Sequence, residues 1–136
     1  MATVKLWTDA DVAANARVKA VFDDIRTTRQ SDFVNNFWRA LANQPAVLER
    51  TWANLKDVMV APGELEPLTK ELIYIAVSTA NGCSYCVHSH TVAAHAKGMT
   101  AAQHTELLAV IGMASQTNSL ATAMQVPADP EYLVEP

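Results

Sequence analysis

The sequence predicts an all-α fold of about six to seven helices, and three observations lead to it. Apolar residues recur at intervals of three and four, which places them on one face of a helix. Helix-starting patterns precede these stretches: a proline in a first turn, or a threonine with aspartate or glutamine three residues later. The one stretch dense in β-branched residues has no second stretch to pair with as a strand. The chain of 136 residues is expected to form one domain, 1–136.

Three helices are expected in the first half of the chain. The first is predicted over 8–26, because Thr8 followed by Asp11 has the form of a helix start. The second is predicted over 32–42, where large apolar residues repeat at every fourth position: Phe33, Phe37 and Leu41. The third is predicted over 45–61, opened by a proline in its first turn and closed by a Pro-Gly pair.

A fourth helix is predicted over 67–80, again opened by a proline. After Glu71 it is nearly all apolar, which indicates a buried helix. Because β-branched residues are dense over 73–79, a strand is the alternative for this segment. The length of the apolar run and the lack of a partner strand favour the helix.

The last part of the chain carries three more predicted helices and a tail. A fifth helix is expected over 83–97, stopped by Gly98. A sixth is expected over 100–114, because it opens with the capping-box pattern T-x-x-Q. A last helix is expected over 117–125. The acidic tail 127–136 contains prolines, and it is expected to lie on a neighbouring subunit or to be loose.

The composition predicts a homo-oligomer and argues against polyanionic partners. Half of the residues are apolar and only 18% are charged, whereas about a quarter is usual. A small monomer with so few charges would expose apolar surface, which association of identical chains would cover. The net charge is −4 and there is no basic block, so neither nucleic acid nor an anionic membrane is an expected partner.

The sequence features also predict a cytoplasmic protein. The N-terminal residues include no apolar core of a secretory signal, and no apolar run approaches the length that crosses a bilayer. In the cytoplasm a C-x-x-C pair is kept reduced between turnovers, and a static structural disulfide would be unusual.

The most informative stretch is Cys83-Ser84-Tyr85-Cys86, which holds the two cysteines of the chain. Two sulfurs at this spacing can exchange thiols for a disulfide, and a nearby imidazole can take the thiol proton. On a helix, Cys86 lies about 60° from Cys83 and His90 only about 20°, so the three share one face. His88 lies about 140° away, and His90 is therefore the expected partner of the thiols.

Two further features favour redox chemistry at this stretch. The free N–H groups in the first turn of a helix stabilise a thiolate, which lowers the pKa of a cysteine placed there. Glu71 lies twelve residues before Cys83, on an otherwise apolar helix. We expect it to be partly buried, with its pKa raised toward neutrality, so that it can exchange a proton with His90 directly or through a water.

The pattern Glu71-x11-Cys83-x-x-Cys86-x3-His90 resembles the core motif of the AhpD-like alkylhydroperoxidases, within the carboxymuconolactone decarboxylase superfamily. The similarity extends over 61–127 well and over the first sixty residues loosely. It implies an all-helical, AhpD-like fold that assembles as a homotrimer or homohexamer. It also implies a thiol peroxidase that acts on organic or hydrogen peroxides and is reduced by a dithiol or a protein partner.

The resemblance further implies the roles of the site residues. Cys86 would attack the peroxide, Cys83 would resolve the sulfenic acid into a disulfide, and His90 with Glu71 would form the proton relay. No metal, haem or flavin is expected, because the sulfurs supply both electrons. The best-known branch has a histidine between the two cysteines, where this chain has Tyr85, and a tyrosine accepts protons poorly near neutral pH.

Several alternatives remain open from the sequence. The main one is a disulfide redox adaptor or sensor that passes electrons to a partner protein, and another is a scaffold without catalysis. The cysteines could instead be small buried side chains or zinc ligands, although His88 and His95 face away from them. A thioredoxin-type site would need strands, which are not predicted. The decarboxylase branch of the superfamily acts on a muconolactone and lacks the cysteine pair, so the two cysteines of this chain argue against decarboxylase activity.

The remaining histidines and aromatic residues are expected to be structural. His88, His95 and His104 are predicted at the surface or at an interface. An aromatic set is predicted in the core or in subunit contacts, with some members lining an entrance for an organic peroxide: Phe33, Phe37, Trp38 and Trp52.

Overall fold

A computed structural model describes residues 1–133, and within that range the chain is helical with no β-strand. The seven α-helices are α1 (Asp9–Ala13), α2 (Ala16–Arg29), α3 (Asn36–Leu41), α4 (Pro45–Leu55), α5 (Pro67–Ala80), α6 (Ser84–Ala96) and α7 (Ala101–Ala123). A π-helical turn, Lys56–Val60, continues α4, and a 3₁₀ turn, Pro130–Tyr132, follows α7. The prediction of an all-α fold is confirmed.

The helix predicted over 8–26 is in fact two helices. The start is as predicted, because the Asp11 N–H donates to Thr8 Oγ1 at 3.3 Å and the Thr8 N–H donates to Asp11 Oδ2 at 2.8 Å. Asn15, however, caps a new helix: its side-chain oxygen accepts the Val18 N–H at 3.1 Å. A carboxamide this short competes for backbone N–H groups, so asparagine favours a helix start over a helix interior.

The second predicted helix, 32–42, is shorter than expected for the same reason. Asn35 caps α3, its side-chain oxygen accepting the Trp38 N–H at 3.5 Å, and the residues before it are not helical. The third prediction holds in outline, since α4 and its π-helical turn run from residue 45 to residue 60.

Helix α5 has the predicted bounds, so the strand alternative for 73–79 is wrong. The break predicted between residues 114 and 117 is also wrong, because α7 is continuous. Thr117 Oγ1 donates to the Met113 carbonyl at 3.1 Å, and Ser119 Oγ donates to the Ser115 carbonyl at 2.8 Å. These side chains satisfy their hydroxyl groups against the preceding turn and do not end the helix. The predicted tail is described only to Leu133, and residues 134–136 lie outside the described residues.

The chain forms two compact units, residues 1–62 and 63–136. The first unit is built around Trp38 and Trp52, whose rings meet edge to face with centroids 5.3 Å apart. Both indoles are buried, as predicted, whereas Phe33 and Phe37 are exposed. Trp52 Nε1 donates to Asp24 Oδ2 at 2.7 Å, which satisfies the polar edge of that ring.

The second unit is built around α5, which packs against α6 and α7. Its buried apolar centre consists of Ile75, Ala94 and Met99, with Leu68, Leu72, Leu107 and Ile111 packed against it. The described part of α7 has no fully buried side chain and exposes several apolar ones: Leu108, Val110, Met113 and Leu120. Within residues 1–133 no helix has both the length and the apolar character needed to cross a membrane.

Gly98 stops helix α6, as predicted: the helix ends at Ala96, Lys97 is its C-cap and Gly98 follows. This glycine has φ +92°, its N–H donates to the His95 carbonyl at 3.0 Å, and the Met99 N–H donates to the Ala94 carbonyl at 3.0 Å. This pair of bonds is the Schellman motif, and it brings the chain back over the helix so that Met99 is buried.

Replacement of Gly98 by alanine is expected to lower the free energy of unfolding by about 1–2 kcal/mol, because a Cβ atom is strained at a left-handed φ. Gly112 is the matched control, since it lies inside α7 with open space around an added Cβ. Its replacement by alanine is expected to raise the free energy of unfolding by about 0.5–1 kcal/mol. Urea titrations of both variants measure this, and an unchanged midpoint for the Gly98 variant would contradict the assignment.

Candidate active site

The two cysteines lie at the turn that joins α5 to α6 and are joined in a disulfide. Gly82, at φ +68°, lets the chain reverse after α5, and the Cys83 N–H donates to the Ser78 carbonyl at 2.9 Å. The Cα atoms of Cys83 and Cys86 are 5.3 Å apart, which is within the usual range for a disulfide. Both residues are half-buried.

Cys83 lies one position before the helix and not inside its first turn, because α6 begins at Ser84. It is the N-cap residue, and its sulfur accepts the Cys86 N–H at 3.3 Å. The expected contact between a cysteine and the free N–H groups at a helix start is therefore present. It is made by Cys83, the first cysteine of the pair.

Glu71 and His90 are brought together, as the sequence predicted. Glu71 projects from α5 and His90 from α6, and the distance from Glu71 Oε2 to His90 Nδ1 is 2.6 Å. Glu71 is only 4% exposed. Cys86 lies four residues before His90 on α6, so the thiol position and the imidazole are neighbours on one helix face.

Lys97 completes the surroundings of the carboxylate. This residue caps the C-terminus of α6, and its Nζ donates to Glu71 Oε1 at 2.8 Å. Burial by itself raises the pKa of Glu71, but the hydrogen bonds from His90 and Lys97 outweigh burial and leave the pKa below its usual value. The predicted rise of the Glu71 pKa toward neutrality is therefore wrong.

The charge on Glu71 fixes the tautomer of His90. An ionised carboxylate can only accept hydrogen bonds, so Nδ1 of His90 must carry the proton that lies between them. In a neutral imidazole Nε2 is then unprotonated. The side chain of His90 is 18% exposed and belongs to the helix that carries Cys86.

Tyr74 holds the plane of the imidazole. Its ring stacks on His90 with centroids 3.6 Å apart and an interplanar angle of 19°. Sequence reasoning missed both Tyr74 and Lys97, although helical spacing contains the signal. Tyr74 is three residues after Glu71 on α5, and Lys97 is seven residues after His90. Both spacings place the side chains on one helix face.

The other histidines lie apart from this group. His88 is exposed, in agreement with its predicted orientation away from the thiols. His95 Nδ1 donates to the Met99 carbonyl at 3.0 Å, and its ring meets that of His104 edge-on at 5.7 Å. Within residues 1–133, no cluster of three or more His, Cys, Asp or Glu side chains could hold a metal ion.

The site thus combines a dithiol–disulfide pair with an imidazole that is oriented by a buried carboxylate. The sulfurs can give up or take back two electrons. The free imidazole nitrogen can accept a proton from a thiol and return it to a leaving group. This arrangement is suited to two-electron thiol chemistry with proton transfer.

Replacement of Glu71 by glutamine is expected to destabilise the protein at neutral pH by about 1–3 kcal/mol, because Lys97 loses its partner and the buried site loses its charge. The difference in the free energy of unfolding between the wild type and this variant should become smaller as the pH is lowered. A carboxylate with a lowered folded pKa stabilises the protein above its unfolded value of 4.5, and this contribution is lost as the pH falls through the lower folded pKa. Urea unfolding of both proteins over an acidic pH series measures this, and a constant difference would contradict it.

Comparisons with known proteins agree with this fold and this motif. The model of the carboxymuconolactone decarboxylase family matches residues 46–129. An alkyl hydroperoxide reductase AhpD from Solibacter usitatus (strain Ellin6076) is 37% identical over 78 residues. That match covers 57% of this chain and 42% of the relative, so the chain matches less than half of the relative's length.

A solved structure is similar over nearly the whole chain. It is the alkylhydroperoxidase AhpD core from Rhodospirillum rubrum ATCC 11170, with a TM-score of 0.97 and 66% sequence identity. The match covers 99% of each chain. The chain belongs to the carboxymuconolactone decarboxylase family and has the fold of an AhpD core.

Proposed function

We propose that this protein is a thiol-dependent peroxidase that reduces organic or hydrogen peroxides through the Cys83–Cys86 dithiol. The observation that carries the proposal is the pairing of this disulfide with His90, whose Nδ1 lies 2.6 Å from the buried carboxyl group of Glu71. The names of the two relatives, an alkyl hydroperoxide reductase and an alkylhydroperoxidase core, support the same substrate class.

The proposed reaction balances with two thiols and one peroxide. The Cys86 thiolate attacks one peroxide oxygen, an S–O bond forms, and the O–O bond breaks to release an alkoxide that takes up a proton. The Cys83 thiol then attacks the Cys86 sulfur, an S–S bond forms and the S–O bond breaks, releasing water. The sulfurs lose two electrons, and the peroxide becomes an alcohol and water. A dithiol or protein reductant must then restore both thiols.

His90 is the proposed base and acid of the first step. Its Nε2 takes the proton of Cys86, one helical turn away, and later gives a proton to the leaving alkoxide. Because Glu71 is ionised, its proposed part in the relay is to hold Nδ1–H and stabilise the imidazolium that forms. Tyr85 stands where the best-known branch of the family carries a histidine between its cysteines, so His90 is the only imidazole in the relay proposed here.

The attacking role is given to Cys86 because it is the cysteine nearer to His90 along α6. Four residues separate Cys86 from His90, one helical turn, whereas seven separate Cys83 from it. The hydrogen bond from the Cys86 N–H to the Cys83 sulfur suits the resolving role. It would stabilise negative charge on Cys83, both when this thiol attacks and when it leaves during reduction.

Assembly and compartment complete the proposal. The exposed apolar side chains of α7 support a homo-oligomer, a trimer or a hexamer, in which identical chains cover them. Reduction of the disulfide after every turnover requires a reducing compartment, and we place the protein in the cytoplasm.

The test of the proposal is stopped-flow mixing of the fully reduced protein with one equivalent of cumene hydroperoxide, with free thiols counted over time. We expect two thiols per chain to be lost far faster than a small free thiol reacts, and the intact mass to fall by two hydrogens. A rate equal to that of the small thiol would contradict the peroxidase.

A second candidate is a disulfide redox adaptor or sensor that passes electrons to a partner protein. The exposure of Tyr85, at 42% between the two cysteines, favours it, because an exposed aromatic ring beside a disulfide is a natural contact for a partner. Rapid disulfide exchange with protein dithiols, combined with slow oxidation by peroxide, would select the adaptor.

Serine variants of the two cysteines should react differently with peroxide. With Cys86→Ser, peroxide consumption is expected to be lost, whereas Cys83→Ser should still form one sulfenic acid per chain, because only the second step needs the resolving thiol. Mass spectrometry after trapping with dimedone measures this. If the Cys86 variant reacts and the Cys83 variant does not, the two roles are the reverse of those proposed.

Replacement of His90 by glutamine is expected to slow thiol oxidation at neutral pH by on the order of a hundredfold, because the general base is lost. The loss should shrink at alkaline pH, where the thiol ionises without help. His88→Gln is the matched control, an exposed histidine two residues earlier on α6, and it should react as the wild type does. An unchanged rate for the His90 variant at neutral pH would remove His90 from the mechanism.

A further inference from the structure

Besides the imidazole of His90, the buried Glu71 has a cationic partner in Lys97. It is 26 residues from Glu71 in sequence, at the opposite end of α6 from the cysteines. Its side chain is 34% exposed, whereas that of Glu71 is 5% exposed. Because the carboxylate is buried and the ammonium is accessible to solvent, this ion pair is intermediate between an exposed ion pair and a fully buried one.

The two oxygens of Glu71 are divided between two donors. Oε2 accepts from His90 Nδ1 at 2.6 Å and Oε1 accepts from Lys97 Nζ at 2.8 Å. A carboxylate anchored at both oxygens cannot rotate about its last bond without breaking one of these hydrogen bonds. Lys97 therefore fixes the direction in which Glu71 presents its other oxygen to the imidazole.

Lys97 also changes the charge that the reacting groups meet. Glu71 and Lys97 together are neutral, whereas Glu71 alone would present a full negative charge to His90 and, beyond it, to Cys86. A negative charge makes every nearby proton harder to remove. This holds whether the first proton of the coupled thiol–imidazole pair leaves from the sulfur or from the ring.

We propose that Lys97 is a positioning residue that neutralises and orients Glu71, and thereby sets the pH above which the thiol at this site becomes reactive. The catalytic part of this inference rests on the proposed function. The effect of the Lys97 charge on ionisation of the thiol does not depend on it.

Three helices carry the ionisable groups around the imidazole, and Lys97 is the residue chosen for the test. On α5, Tyr74 stacks on the imidazole, Glu71 accepts the hydrogen bond from its Nδ1, and Lys70 directly precedes Glu71. On α6, Cys86 shares the helix face of His90. On α7, which packs against α5, the ionisable side chains are His104 and Glu106, and His104 lies against His95.

The experiment replaces Lys97 by methionine and, so that misfolding of one variant is not decisive, also by glutamine. The acidic limb of the pH–rate profile for peroxide oxidation is expected to move to higher pH by roughly half to one unit. At a fixed pH below the limb, this is a loss of about three- to tenfold in rate. Lys97→Arg keeps the charge and should keep the limb in place. Lys19→Met, an exposed lysine of the first unit, controls for net charge.

A second readout separates this inference from the peroxidase proposal. The ultraviolet absorbance of the thiolate, followed over pH in the reduced Cys83→Ser background, reports ionisation of Cys86 without peroxide. An upward shift in the Met and Gln variants, absent from the Arg variant, supports Lys97 even if peroxide oxidation proves slow. An unchanged thiolate titration in the neutral variants overturns the inference, and so does an equal shift in the Arg variant, since charge would then not be the cause.

Discussion

A carboxylate buried between two helices needs hydrogen-bond donors for both of its oxygens, and this requirement governs the second unit of the protein. Glu71 is 4% exposed on an otherwise apolar helix, and an unpaired charge there would cost several kcal/mol. Both donors come from α6 and its C-cap, His90 from the helix and Lys97 from the cap. The pairing of α5 with α6 is therefore fixed in register, because a slip of one turn would leave the carboxylate without partners.

The proposed chemistry of the cysteines depends on that register. The turn at Gly82 and the N-cap at Cys83 place the sulfurs at the start of α6, and the same helix carries His90 one turn beyond Cys86. The carboxylate orders the imidazole from one edge and the Tyr74 ring covers one face. In the proposed reaction the remaining ring nitrogen, Nε2, exchanges protons with the thiols. A buried ion pair and a redox pair thus share one helix.

Local signals predicted much of this architecture, and long-range ones were less accessible. Proline and threonine at helix starts gave the bounds of α5 and the start of α7, and helical spacing paired Glu71 with His90. The break at Asn15 went unpredicted because the spacing of apolar residues, Val12, Ala16 and Ala20, continues across it. The predicted rise of the Glu71 pKa was wrong because Lys97, 26 residues away in sequence, could not be placed beside Glu71 from the sequence alone.

The central claim is that Glu71 is ionised and holds the proton-bearing Nδ1 of His90 in the reduced protein. The most direct measurement is NMR at neutral pH, on protein labelled with the NMR-active isotopes ¹³C at the glutamate side-chain carboxyl and ¹⁵N in histidine. We predict an ionised carboxyl at Glu71 and, in the neutral ring of His90, a proton on Nδ1 with Nε2 unprotonated. A protonated Glu71, or a neutral ring with its proton on Nε2, would contradict the account.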